Sequence, residues 1–478
     1  MIQLRRSIAI TFFSTNIATV VQFIVTLVLA RLLTPSEIGI FSIAAVAINL
    51  AGVFRDFGVQ NYLQQEKNLS PEKIRSALGL LLATSWLLAL IVYSVRWPVA
   101  NYYNEPGIAA LMAVMAISFL LVPVASFFHA ILSRDLQAGK QAVVHAVSTA
   151  AYAVTCLTMA YNGFSYMSLA WANVANLAFT IFAYLYFYDR SFPLLPSLKG
   201  WRAPVRFGIG SAISNLATQA NNSLPDLVLG KIHGAHAVGI YSRAQGFIGI
   251  FAQVAGPTLN YIALPYLSRS HHDEQPIGYI LDKATRYLTV IAWPFFIGMA
   301  LNAGDLILML YGSQWSEAVP IAVIVALHAA LRVSVQMHQP ALIAIGKPLI
   351  AAIPAVVNFA IRLTFVFAFG MDSILHFAIA ICVADILGMI VPLVLMSKYF
   401  GFSLSRAGGI LLQALLFSVL FAAVAVGVKI LLPLDWSVYV RVLVTLVSLT
   451  VAWLLIVFGT KHPIASEIRR MLPAKVFK

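Results

Sequence analysis

The chain has 478 residues, 61% of them hydrophobic and only 10% charged, against about 25% charged in soluble domains. Its mean hydropathy is +0.88. A water-soluble fold could not cover so much apolar surface, so composition excludes one and leaves an integral membrane protein. The formal charge of +14 and pI near 9.8 do not point to nucleic acid, because inside-facing basic residues account for most of the charge and anionic lipid is their natural partner.

Spanning a bilayer takes about 20 mostly apolar residues per helix. Fourteen such segments are predicted, at about 8–30, 38–60, 77–97, 107–131, 142–162, 165–188, 204–230, 236–264, 284–310, 317–341, 349–369, 374–397, 407–430 and 438–460. Breakers mark the joints: "LTPSE", "NEPG", "YNG", "GKP" and "LLPLD". The segments are too long and too evenly apolar for barrel strands, so they read as helices. The first reads as a span and not as a cleaved leader, because its apolar stretch is long and no small-x-small site follows it. No soluble domain is expected, and the longest polar stretch, 189–206, reads as a linker. With the N-terminus placed inside, 22 basic residues fall on inside segments and 5 outside, and Arg55, Arg243, Arg332 and Arg362 lie within spans. That bias puts both termini in the cytoplasm.

Residues 27–42, "LVLARLLTPSEIGIFS", match 227–242, "LVLGKIHGAHAVGIYS", at Leu, Val, Leu, Gly, Ile and Ser with a constant offset of 200. The offset lays span 1 over span 7 and span 2 over span 8. Six intervening spans give both copies one orientation, which predicts two parallel six-helix halves around an axis along the membrane normal. The expected division is 1–200, 201–400, and 401–478 for two added helices and a basic tail. Polar stripes repeat as well. Span 1 carries Thr11, Thr15, Thr19, Gln22 and Thr26; span 7 carries Ser211, Asn215, Thr218, Asn222 and Asp226. Both trace one helical face. Such a face either glues helices together or lines a hydrated cavity; the amides and Asp226 favour the cavity, with Gln22, Asn215 and Asn222 as lining residues.

"ARLLTPSEIGIFSIA" (30–44), followed by "FRDFGVQNYLQQ" (54–65), resembles the N-terminal signature of bacterial polysaccharide flippases of the Wzx type. These form the polysaccharide transporter branch of the multidrug/oligosaccharidyl-lipid/polysaccharide exporter superfamily. The resemblance covers the fourteen-span plan and is sharpest over residues 8–75. It implies alternating access of two lobes and translocation of lipid-linked oligosaccharide units, usually on undecaprenyl diphosphate, across the inner membrane. It also implies membrane lipids, a polysaccharide polymerase and assembly proteins as partners, and neither a cofactor nor a nucleic acid.

A diphosphate crossing a low-dielectric slab needs fixed cations, and arginine's planar fork suits phosphate. An intramembrane charge costs about 2.5–3.5 kcal/mol on insertion scales, so a charge within a span is a functional candidate. Arg332 leads: His328, Arg332, Gln336 and Gln339 share one face of span 10. Arg362, with Asn358 one turn before it, lies mid-span in span 11, and Asp385 lies mid-span in span 12. Asp385 and Asn358 could hold a coupling proton or sodium ion; alternatively, Arg362 and Asp385 pair with each other. Arg243 on span 8 either binds substrate or snorkels to the interface. Arg55, near the end of span 2, either contacts the other lobe or anchors at the interface.

Two other functions fit the residues less well. A cation-coupled multidrug exporter of the same superfamily typically has twelve spans and an acidic cavity; four span-embedded arginines against Asp56, Asp226 and Asp385 disfavour it. A membrane-bound polymerase or acyltransferase would carry a large outer loop or an acid/base cluster, and the outer loops here are short. "HHDE" (271–274) reads as a solvated loop and not a metal site. Cys156 and Cys382 read as buried small hydrophobes.

Overall fold

The computed structural model describes residues 2–56, 59–66, 69–134, 137–187, 195–199, 202–433 and 435–471; the side chains of 2–13, 15, 56, 61, 64–65, 202–215, 254–262, 264–265, 404, 407 and 470–471 lie outside that description. Among the described residues there are nineteen α-helices, one 3-10 turn and no strand. The chain forms two compact units, residues 1–242 and 243–478.

Unit 1 contains α1 (Ile2–Leu32), α2 (Pro35–Asp56), α3 (Val59–Gln65), α4 (Pro71–Tyr103), α5 (Pro106–Arg134), α6 (Ala138–Tyr161), α7 (Met167–Tyr186), α8 (Arg202–Ile232) and the start of α9 (Gly234–His272). The joints follow the sequence chemistry. Thr34 and Glu37 form a capping box: the Thr34 N–H donates to the Glu37 carboxylate at 2.7 Å, and the Glu37 N–H donates to Thr34 Oγ1 at 3.3 Å. Ser70 caps α4 by accepting from the Lys73 N–H. Asn104 ends α4 at φ 57°, and Pro106 starts α5. α4 packs on α5, α5 on α7, α6 on α1 and α7, and α2 on α4, α5 and α8. Leu81, Phe127, Phe128, Val144 and Tyr184 sit in the apolar core.

The repeated segment folds into a reciprocal contact inside this unit. A Cβ at Gly39 would overlap the carbonyl oxygen of Ala235; a Cβ at Gly239 would overlap that of Pro35. Ser42 Oγ donates to Ser242 Oγ at 3.5 Å. Each of these pairs maps onto itself or its mirror when residue i is exchanged with i+200. The glycines common to both copies are therefore required by backbone-to-backbone approach, which no residue with a side chain permits.

Unit 2 continues α9 and adds α10 (Ile277–Leu301), α11 (Ala303–Leu310), a 3-10 turn (Ser313–Trp315), α12 (Ala318–Val333), α13 (His338–Ala344), α14 (Pro348–Phe369), α15 (Ile374–Gly388), α16 (Ile390–Phe400), α17 (Leu404–Leu431), α18 (Val438–Gly459) and α19 (Pro463–Met471). α10 packs on α12 and α17, α12 on α15, α14 on α15, and α17 on α18. Ile291, Phe295, Phe421, Leu446, Leu449 and Trp453 of α10, α17 and α18 line a mostly apolar cavity of about 260 Å³. At its rim Arg441 donates to Asp305 at 2.8 Å.

Each of the fourteen predicted segments falls on a helix. Among the described residues, eleven spans are long and apolar enough to cross a membrane; the other three segments lie on α1, α8 and α9, whose side chains are only partly described. Three segments expected to be continuous are broken: 284–310 at Asn302, between α10 and α11, and two more at prolines. Proline lacks an N–H and clashes with the carbonyl four residues back. Pro340 thus denies Gln336 its helical partner, and the chain tightens into i→i+3 bonds over 334–338. Pro392 does the same to Gly388, where α15 ends and α16 begins.

Candidate functional site

α12, α14 and α15 bring four of the predicted residues together in unit 2. Asp385 sits in the last turn of α15 and is 5% exposed. Arg362, on α14 and 8% exposed, grips it with two donors: Nε to Oδ1 at 2.5 Å and Nη2 to Oδ2 at 2.6 Å. This is the bidentate fork that makes arginine–carboxylate pairs strong. One turn before Arg362, Asn358 Nδ2 donates to Oδ1 at 2.9 Å. His328 on α12, 8% exposed, places Nε2 2.9 Å from Oδ2. Four nitrogen atoms from three side chains on two neighbouring helices therefore ring one carboxylate. Asn358 owes its position to Gly388, because a Cβ there would overlap the Asn358 amide oxygen.

Arg332 lies one turn beyond His328, in the last turn of α12, where the partial negative end of the helix favours a cation. It is exposed, and it lies within electrostatic reach of both Asp385 and Arg362. Among the described residues no side-chain hydrogen bond or ion pair engages its guanidinium. Besides His328, the cluster holds two guanidinium groups and one carboxylate. Asp385 is spent on Arg362, which leaves the net positive charge at Arg332. The arrangement can attract and fork onto an anion such as a phosphate.

The helix break removes Gln336 from the face it was expected to share: it falls in the tightened turn, while Gln339 falls on α13, and both are exposed. Arg243 is placed over the rings of Tyr311 at 5.7 Å and Trp315 at 5.3 Å, two buried aromatics at the α11–α12 turn. This is a cation–π arrangement. Arg55 stands 6.0 Å over Phe119 of α5, and its carbonyl accepts from Thr84 Oγ1 at 3.1 Å. Gln22 and Asn222 are exposed in unit 1. The side chains of Asn215, Thr11, Thr15, Ser211 and Asp56 lie outside the described residues. In the "HHDE" stretch, His272 Nδ1 meets the Ser268 carbonyl and Asp273 faces Arg269 at 3.7 Å.

The sequence reading missed His328 as a partner of Asp385, since nothing local tells which way α12 turns. It also missed the apolar cavity of unit 2, whose lining is indistinguishable by hydropathy from a lipid-facing surface.

A family described as polysaccharide biosynthesis protein matches residues 28–320. The succinoglycan biosynthesis transport protein ExoT of Rhizobium meliloti (strain 1021) is 26% identical over 327 residues, covering 68% of this chain and 66% of that protein. The lipopolysaccharide biosynthesis protein WzxC of Escherichia coli (strain K12) is 21% identical over 307 residues, covering 64% and 62%. The chain thus spans a little under two thirds of the length of these relatives. Among solved structures, lipid II flippase MurJ in an inward closed conformation aligns with a TM-score of 0.73 at 14% identity, over 94% of this chain and 99% of that one. An inward-facing multidrug resistance MATE transporter of the MOP superfamily aligns with a TM-score of 0.64 at 13% identity, over 82% and 95%. The chain therefore shares with these structures an all-α, multi-pass membrane fold. Since the matched residues make up well over half of its length, the chain belongs to the polysaccharide biosynthesis protein family.

Proposed function

We propose that the protein translocates polyprenyl-diphosphate-linked oligosaccharide units across the bacterial inner membrane. It does so by alternating access of two six-helix halves, 1–200 and 201–400, with residues 401–478 adding two helices and a cytoplasmic tail. The observation that carries this reading is Arg332: an arginine on a membrane helix, within electrostatic reach of a buried carboxylate already committed to another arginine. Such a site suits a lipid diphosphate. The apolar cavity of unit 2 suits a hydrocarbon chain, so the unit offers both surfaces an amphipathic lipid needs. The names of the relatives ExoT and WzxC, which speak of polysaccharide biosynthesis, and of MurJ, a lipid II flippase, support the same reading. A chain of this kind moves its substrate without changing a covalent bond and is not an enzyme. Its further partners would be a polymerase and assembly proteins.

The MATE likeness raises a multidrug exporter as the alternative. The sign of the site weighs against it, since excess positive charge repels cationic drugs. Arg332→Ala is expected to abolish export of the glycan, and Arg332→Lys to leave partial function, because lysine keeps the charge but not the fork. Glycan export and membrane abundance are measured together. Normal export by an abundant Arg332→Ala protein would remove the residue from the mechanism.

A further inference from the structure

A second cluster of titratable side chains lies in unit 1, and nothing in the anion-site reading uses it. His129 sits in the last two turns of α5, and His145 two turns into α6. Their rings meet edge to face, with centroids 6.4 Å apart. His129 Nδ1 is 3.2 Å from the Tyr184 hydroxyl of α7, and its Nε2 is 3.4 Å from Ser133 Oγ one turn on. Ser133 Oγ accepts in turn from Gln141 Nε2 at 2.7 Å. Burial is graded: Tyr184 is 2% exposed, His129 half-buried and His145 exposed. The surroundings are apolar, with Phe127, Phe128, Ile131 and Val144 in the same core and Phe128 stacked on Tyr184.

The choice of partners is informative. A hydroxyl both donates and accepts. An imidazole held between two hydroxyls is therefore satisfied in either state. When neutral it accepts at one nitrogen and donates at the other; when protonated it donates at both. A carboxylate partner would lock the charged form, and a wholly apolar pocket would lock the neutral one. Charged side chains on the elements packed around α5 meet partners other than these rings, and Glu72 of α4 is exposed at the start of its helix. Arg134 donates to the carbonyls of Leu63 and Glu66, and Lys73 pairs with Glu66 at 2.9 Å. Lys140 of α6 lies over Phe187, Arg75 of α4 donates to the Leu195 carbonyl, and Arg55 of α2 faces Phe119. Among the described residues no ion pair joins a carboxylate to either imidazole. Two like charges this close disfavour each other, so the two rings load one after the other, with the exposed His145 as the point of exchange.

We propose that His129 and His145, backed by Tyr184 and Ser133, form a proton-binding site in unit 1 whose loading and release accompany transport. Loading adds one N–H bond to an imidazole, and release returns that proton to water; no other bond changes. The proton site stands on unit 1 alone, and only its coupling rests on the transport reading above.

The test uses the full chain with 15N-labelled histidine in liposomes, titrated over about pH 5–8, the range where imidazole changes charge. The His129 and His145 signals should titrate in sequence, and His145→Gln should move the His129 midpoint. In proteoliposomes, flipping of a polyprenyl-diphosphate-linked oligosaccharide should vary with pH in the native protein and lose that variation in His129→Gln. Arg332→Ala should stop flipping at every pH yet keep the His129 titration, which separates failure of the anion site from failure of this one. If His129→Gln does not fold, Tyr184→Phe and Ser133→Ala keep the ring and remove one hydroxyl each, and both should shift the midpoint. Imidazoles that hold one protonation state across the range, or a His129→Gln protein with the native pH profile, would overturn the proposal.

Discussion

Asp385 accepts from both faces of the Arg362 fork and from Asn358, with His328 against its second oxygen. Removing one partner of such a buried pair leaves the other charge uncompensated, at a cost of about 3–5 kcal/mol. Asp385→Asn should therefore lower the unfolding midpoint of the purified protein by that equivalent. The double change Arg362→Met with Asp385→Leu should recover most of it. An Asp385→Asn protein as stable as the native one would mean the pair is not structural. The coupling role proposed for Asp385 and Asn358 would then gain ground, and transport by the variant should become insensitive to the ion gradient. Gly388→Ala probes the second partner: its methyl displaces the Asn358 amide, and the lost bond is worth about 1 kcal/mol. The pairing of Arg362 with Asp385 could be read from the sequence as one of two alternatives, since two opposite charges on adjacent apolar spans rarely stay apart. The part played by His328 could not, because it depends on the rotation of α12 about its own axis. His129 and His145 escaped notice for a similar reason: a histidine hardly perturbs an apolar run, and only the packing of α5 on α6 and α7 makes a cluster of them.

The crossing of α2 with the start of α9 rests on a pattern the sequence did display. Gly39, Gly239, Ser42 and Ser242 are identical positions of the repeat, and the structure sets them against each other or against Pro35 and Ala235. A carbonyl oxygen held in a helix cannot step aside, so Gly39→Ala and Gly239→Ala should each destabilise the protein by roughly 1–3 kcal/mol, as overpacking does. Because the contact is reciprocal, the two losses should be similar in size and should not add when combined. Ser42→Cys with Ser242→Cys should form a disulfide on mild oxidation in membranes, read as a mobility shift reversed by reductant. Absence of that crosslink in a well-expressed protein would contradict the crossing. Helix positions were legible along the whole chain because hydropathy alone marks them. The breaks before Pro340 and Pro392 were not, since an apolar segment of spanning length outweighs one proline in such a reading. Yet the α12 break ends the helix within a turn of Arg332, and the α15 break does the same near Asp385, so the residues of most interest sit where the helices stop.

The number of crossings decides the topology of the whole chain through its parity. Eleven crossings would leave the two termini on opposite sides. Fourteen, with α1, α8 and α9 included, would leave them on the same side. The basic residues favour the second: 22 on inside segments against 5 outside holds only if each of the fourteen segments crosses, since dropping one would exchange inside and outside for everything after it. Local sites agree with this alternation. Lys73 and Arg75 open α4, and Arg134 and Lys140 flank the α5–α6 joint, both assigned inside. The α6–α7 turn at Asn162 and Gly163 carries no basic residue and is assigned outside. A reporter that matures only outside the cytoplasm should therefore be active when fused after Asn162 and silent when fused at the C-terminus, and a cytoplasm-dependent reporter should show the reverse. With the N-terminus inside, an active extracytoplasmic reporter at the C-terminus would mean an odd number of crossings and would sink the fourteen-span count.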